Sequence, residues 1–413
     1  MFVDHEAMNL SLLIARRYFF SKYKRGFINL ISMISMVVVA VGTMSLIVVL
    51  SVFNGLEGLH RRLFSTIDAD IKIVVREGKN FEVTPKMLEK LSRVPGIRSL
   101  TEVIEDNALI RYEEAQHIVT LRGISDNFLQ RSALPSIIIE GRLVLHEKGV
   151  DYAMIGQGVQ HMLSVSLSNE FMPLQVWYPK NKKKLNLTSE SSINRLNIRP
   201  GGVFALEQQY DDNYVFVPLH FARELFEYAN KRTALEILVK EGYDVENVKA
   251  RVQELMGKAF VVQNQEEQHA SILRAIKIEK LFVYLTLSFI LAVASFNIFF
   301  SLTMLAIDKK KDVGILYAMG ATSGLIKRIF LTEGAIVAFT GAFFGLIVGS
   351  LICWLQQEYG FVSMGMATSV VEAYPVKMRL TDFLITGMTI VVITFGSSFF
   401  PALKASRQGE IRN

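Results

Sequence analysis

Few side chains in this sequence stand at spacings that do chemistry. Its histidines, among them His117, His146, His161, His220 and His269, are scattered without ligand spacing and read as surface or satisfied residues. The single cysteine, Cys353, lies inside an apolar run, which leaves no intrachain disulfide and no zinc-type cysteine cluster. There is no Walker A pattern, no HExxH and no GxSxG, so no catalytic centre, metal or cofactor is expected. What the spacing supports is docking. Residues 308–332 read DKKKDVGILYAMGATSGLIKRIFLT, a basic connection between two apolar runs. Asp312 stands near the start of a short helical segment in which Ile315 and Met319 share a face at i, i+4. Gly320 stops that segment, and Thr322 or Ser323 can cap the next helix. Median connections are about 4–6 residues long. A 25-residue connection is therefore expected to bind something on its side of the membrane.

Four uncharged runs must position that segment: residues 26–56, 280–307 (uncharged from Leu281), 334–357 and 383–403. Each is long enough for a helix to cross about 30 Å of hydrocarbon, which takes about 20 residues. The chain is 51% hydrophobic and 20% charged, too apolar for an ordinary soluble protein and too charged for an all-membrane one. The fold expected is a membrane protein of four transmembrane α-helices, with a large α+β domain, residues 57–279, inserted between spans 1 and 2. The first run exceeds the h-region of a cleaved signal peptide, so an uncleaved anchor is expected. Residues 1–25 before it, helical in pattern from Met8 to Arg25, suit an interfacial helix and equally a basic flank; Met1 and Met8 both serve as starts. The rest is the connection 308–333, a short loop 358–382 and a tail 404–413.

Within 57–279, strands are expected at 70–76, 116–121, 174–178, 203–207, 213–217 and 233–239. Helices are expected at 84–94, 153–163, 218–228 and 245–257. The stretch 178–201, YPKNKKKLNLTSESSINRLNIRPG, carries Lys180, Lys182, Lys183, Lys184, Arg195 and Arg199 against Glu190. It suits a solvated hairpin tip or a binding surface. Basic residues cluster before the first run (Arg16, Arg17, Lys22, Lys24, Arg25), in 308–332 (Lys309, Lys310, Lys311, Lys327, Arg328) and in the tail (Lys404, Arg407, Arg412). Between the third and fourth runs stand only Lys377 and Arg379. The positive-inside rule then puts both termini and 308–332 in the cytoplasm, with 57–279 outside. This topology accounts for the net charge of +6, so membrane lipids and not nucleic acid are the expected partner. Gly334, Ala338, Gly341, Gly345 and Gly349 form a small-residue face on the third span, suited to intrachain helix packing or to a dimer seam. From Leu281 in the second run and throughout the others there is no Asp, Glu, Lys, Arg or His, which argues against an ion-coupled transporter. Energy is expected from a partner.

KDVGILYAMGAT followed by LIKRIFLTEG resembles the signature loop of FtsX-like ABC permeases. The N-terminal IARRYFFSKYKRGFINLISMISMVVVAVG, then LIVVLSVFNGLE, and the closing PALKAS resemble the lipoprotein-releasing LolC/LolE branch of that superfamily. The resemblance implies four spans with a MacB-like periplasmic domain in the bacterial inner membrane. It implies a second permease subunit, the same or a paralogue, and a separate cytoplasmic ABC ATPase. MacB-type exporters carry that ATPase fused ahead of the first span, where only 25 residues stand here. The ATPase would couple through Lys311, Asp312, Val313, Gly314, Ile315, Leu316, Met319 and Gly320. The implied task is to extract triacylated lipoproteins and pass them to a periplasmic chaperone, met by a basic hairpin holding Lys182, Lys183, Lys184, Arg195 and Arg199. The other classes are an FtsX-like regulator of a cell-wall hydrolase and a MacB-like exporter.

Overall fold

The computed structural model describes residues 11–15, 27–131, 134–169, 172–180, 193–364 and 373–407. They divide into two compact units, one built on the described residues within 1–58, 274–363 and 373–407, the other on Leu59–Leu273 with Met364.

The first unit is helical. Its four long helices are Phe27–Ile67, then Ala270–Ala294 continued by Phe296–Asp308, then Ser323–Tyr359, and last Leu380–Arg407. All four are long and apolar enough to cross a membrane. Each outruns the uncharged stretch from which it was expected, because a charge does not stop a helix, whereas caps do. The third begins where the Thr322 side chain accepts the Leu325 amide and ends at Gly360, whose φ is +62°. The second is jointed at Ser295, whose hydroxyl donates to the Ala292 carbonyl at 2.6 Å and lies 2.6 Å from the Ser397 hydroxyl on the fourth helix. Val39, Leu46, Leu291, Leu302, Val337, Ala338 and Ile390 form the central core of the bundle. Phe289, Phe343, Met388 and Phe400 point outward, an apolar exterior that belongs in hydrocarbon. Residues 11–15 are helical; the rest of the expected helix 8–25 lies outside the described residues.

The second unit is α+β. Its strands are β1 (Ile71–Val75), β2 (Phe81–Glu82), β3 (Ile97–Tyr112), β4 (Ala115–Ile124), β5 (Ile138–Gly141), β6 (His146–Glu147), β7 (Val150–Gly156) and β8 (Leu174–Pro179). They continue with β9 (Ile193–Phe204), β10 (Tyr214–Pro218), β11 (Lys231–Arg232), β12 (Ala234–Val239) and β13 (Phe260–Asn264). Among the described residues the main sheet runs β13-β1-β12-β3-β4-β10-β7-β9-β5, with β8 joining β3 to β9. The pairings β3-β4-β10-β7-β9-β8 therefore close on themselves. Ile110, Leu121, Ile155, Val176, Val203 and Val217 fill the core of that ring. A second lobe lays helices Pro85–Ser92 and Val245–Met256 on β13-β1-β12-β3, burying Ile71, Ile73, Leu91, Ile237 and Val252.

Three local expectations fail. The start of the expected helix 153–163 is strand β7, which gives way to helix only after Gly156. The expected strand 203–207 is the last two residues of β9 followed by a turn. The long β3 was not expected at all. It pairs with β12 over its first half and with β4 over its second, so no single alternation of polar and apolar residues marks it.

Candidate functional site

The connection between the second and third long helices folds as a helix, Lys310–Ala318. Its end is a Schellman turn. The Ala321 amide donates to the Leu316 carbonyl and the Gly320 amide to the Tyr317 carbonyl, both at 2.9 Å, with Gly320 at φ +90°. One face packs inward: Val313 is buried with Leu305, Ile326, Phe330 and Ala402, and Leu316 and Tyr317 lean on the same cluster, as does Ile14. The Tyr317 hydroxyl donates to the Ser406 carbonyl at 2.5 Å. The opposite face is apolar and uncovered, with Ile315 60% and Met319 77% exposed and Gly314 facing open space. Lys311 is exposed beside them, and Asp312, in the first turn, lies 3.6 Å from Lys309. Val313 and Leu316 thus hold the helix in place, while Ile315 and Met319 offer a surface.

The small-residue face of the third helix is spent inside the chain. A side chain at Gly341 or Gly345 would run into the first helix at the Met36 and Ala40 backbone, one at Gly349 would press tightly on Met44, and one at Gly334 would run into Ser398 of the fourth. The backbones approach because these positions lack a Cβ.

Sequence reasoning missed a polar latch in the same unit. Asn54, fully buried in the first long helix, donates to Asp382 at 2.5 Å and to the Lys377 carbonyl at 3.1 Å. Lys280 reaches the Asn54 side-chain oxygen at 2.7 Å and Asp382 at 3.4 Å. Arg379 pairs with Glu57 at 3.5 Å, and the Lys377 amide bonds to the Ser51 carbonyl at 2.9 Å. A side chain at Gly55 would collide with Pro375. The segment before the fourth helix, expected to be a plain loop, is therefore seated on the first helix. The signal available was Asn54 itself, a polar residue within an uncharged run. Glu333, just outside the expected third span, is likewise buried in the third helix.

In the second unit, β8 and β9 pair antiparallel in register from Leu174↔Ile198 to Pro179↔Ile193, so the described ends of the stretch 178–201 lie on adjacent strands. Arg195 lies over the Trp177 ring at 4.4 Å. Arg199 stands in register with Tyr152. Lys182, Lys183 and Lys184 lie outside the described residues. Where the chain enters and leaves this unit, Asp68 accepts from His269 at 2.7 Å and from the Tyr210 hydroxyl at 3.2 Å. Burial opposes ionisation of Asp68, but the His269 hydrogen bond and the charge of Arg122 outweigh it and hold the carboxyl below its usual range. Buried Arg122 pairs with Glu236, which Arg131 also holds at 2.9 Å. Arg131 donates to the Ile67 carbonyl, tying the end of the first long helix to the sheet.

Residues 32–255 match the MacB-like periplasmic core domain and residues 284–409 the FtsX-like permease C-terminal region. The chain belongs to the FtsX-like and MacB-like permease family. It is an ABC transporter permease and a multi-pass membrane protein. Its resemblance to the lipoprotein-releasing branch extends over nearly the whole length. It is 24% identical to the lipoprotein-releasing system transmembrane protein LolC of Buchnera aphidicola, over 94% of both chains. It is 22% identical to LolE of Haemophilus influenzae, over 97% of this chain and 98% of that one. Among solved structures, the periplasmic region of MacB from Actinobacillus actinomycetemcomitans matches 50% of this chain and 94% of its own, at 14% identity and a TM-score of 0.36.

Proposed function

We propose that this permease, paired with a second permease subunit, extracts lipoproteins from the bacterial inner membrane and passes them to a periplasmic chaperone. A separate cytoplasmic ATPase drives it. The observation that carries this reading is the collinear likeness to lipoprotein-releasing permeases across both units. The exposed Ile315 and Met319 are the docking knob for the ATPase, contributing roughly 1.5–3 kcal/mol each if fully buried. Lys311 and Asp312 flank the knob, and Gly314 and Gly320 let the ATPase surface come close. The excess of Lys and Arg at both termini and at 308–332 supports a cytoplasmic location for them. The 57–279 domain then lies in the periplasm, with the basic hairpin of Lys182, Lys183, Lys184, Arg195 and Arg199 receiving the chaperone.

Energetics favour a shielded transfer. Exposing acyl chains to water costs about 0.8 kcal/mol per CH₂, so three chains amount to tens of kcal/mol. The chains must pass from bilayer to chaperone without full hydration. Charge on the hairpin suits a chaperone that must arrive fast and leave again, since steering raises the encounter rate more than the affinity.

The test is ATP-driven release of a triacylated lipoprotein from proteoliposomes to the chaperone. The wild-type complex should release it. The Ile315→Asp/Met319→Asp pair should lose the ATPase and all release while the permease stays inserted. Reversing Lys182, Lys183 and Lys184 to Glu should slow transfer and leave ATP hydrolysis intact. Hydrolysis without release, coupled instead to activation of a cell-wall hydrolase, would make the chain a regulator of the FtsX kind.

A further inference from the structure

The fold gathers two of the scattered histidines around one carboxylate. His146 Nδ1 lies 2.6 Å from Asp151 Oδ1, and His220 Nε2 lies 2.7 Å from Asp151 Oδ2. One ligand-capable atom from each residue falls within 4.8 Å of the other two. We propose that His146, Asp151 and His220 form a binding site for a zinc-type divalent cation on the second unit.

The backbone builds this set. His146 and Asp151 are register partners across the β6–β7 hairpin, closed by Lys148 and Gly149 at φ 51° and 79°. Two consecutive positive φ angles make a type I′ turn, whose twist matches the paired strands. Cross-strand partners carry their Cβ atoms about 4.5–5.5 Å apart, so both side chains rise from one spot. His220 arrives from the next strand over. β10 runs antiparallel to β7 with Val215↔Ile155 and Phe216↔Met154. Continued, that register brings the end of β10 level with Asp151, and His220 stands in the first turn of the helix that follows, Leu219–Leu225. The three groups are therefore placed by the sheet and not by loose loops.

The donor set fits the ion. Two imidazoles and a carboxylate suit zinc and its neighbours, whereas calcium and magnesium take oxygen ligands. Bonds of about 2.0–2.1 Å in a tetrahedron put ligand atoms about 3.3 Å apart. The observed N–O spacings are those of hydrogen bonds to the two different carboxylate oxygens, and the three ligand atoms lie within 4.8 Å of one another, so side-chain rotation brings them to that spacing around a metal in place of the bridging protons. All three side chains are partly solvent-exposed, which allows that rotation and leaves the fourth position to water. Glu147, the nearest further acid on the hairpin, is paired with Arg142 at 3.2 Å.

The experiment uses the full chain, purified in detergent through a tag without histidine and stripped with chelator. Zn²⁺ is titrated calorimetrically, and Co²⁺ is read by its visible absorption. Expected is one saturable site per chain, weakened at least about tenfold by His146→Ala and by His220→Ala, with matching loss of the Co²⁺ bands. His161→Ala, an exposed histidine outside the cluster, should bind as wild type. Metal-free melting temperatures should be alike in all four proteins, because the substituted groups lie at the surface. Zn²⁺ uptake that is not saturable, or that is indifferent to both ligand substitutions, overturns the site and leaves Asp151 as a hydrogen-bond bridge.

Discussion

Asp211 carries a cost that only the folded chain reveals. It is fully buried, with Oδ1 accepting the Leu206 amide at 2.9 Å and Oδ2 without a partner. Burial pushes its carboxyl up to about 6, against the backbone hydrogen bonds that pull it down. A raised acid stabilises most below its unfolded value near 3.8, and that contribution disappears as pH rises through about 6. Asp211→Asn should therefore raise stability above pH 6, by up to about 3 kcal/mol at 1.36 kcal/mol per pH unit. It should change little near pH 4. Melting of the full chain in detergent across that window checks it; a shift equal at every pH would refute the assignment. Nothing in the sequence marks Asp211, since its burial comes from packing among remote segments. Ile315 and Met319 were legible for the opposite reason: their shared face follows from helix period alone. Asn54 and Asp382, 328 positions apart, find each other only through the bundle.

The long helices were legible as elements because uncharged runs of more than 20 residues have one common solution in a bilayer. Capped helices were legible too. Thr84 caps the helix beginning at Pro85 by accepting from the Met87 amide, and Asp244 caps the helix Val245–Met256. Strands that change partners, β3 above all, were not. Pairing among helices was also hidden, and the third helix shows why. Its glycines would suit a dimer seam as well as an intrachain one, and the backbone of the first helix occupies the face. Gly345→Leu should force those helices apart and cost about 1–3 kcal/mol. Gly387→Leu, on the fourth helix with open space around it, should cost little. Thermal unfolding in detergent compares the two. Equal losses would mean that the close approach at Gly345 carries no stability.

At the scale of the molecule, orientation is the property to measure. In a Cys353→Ser background, single cysteines at Ser191 and Ser323 should report opposite sides of the membrane. An impermeant thiol reagent, applied to cells whose outer membrane is permeabilised, should label position 191 and spare 323. Labelling of both, or the reverse, ends the proposed topology. The pairing of Asp68 with His269 has a consequence of another kind. The chain enters and leaves its α+β unit through adjacent residues, so that unit is a cassette with both leads at one corner. Two crossovers, one beside each partner of this hydrogen bond, exchange it whole and leave the sequence of every long helix intact. A lineage of permeases can thus exchange this α+β unit as a block, without altering the sequence of its long helices.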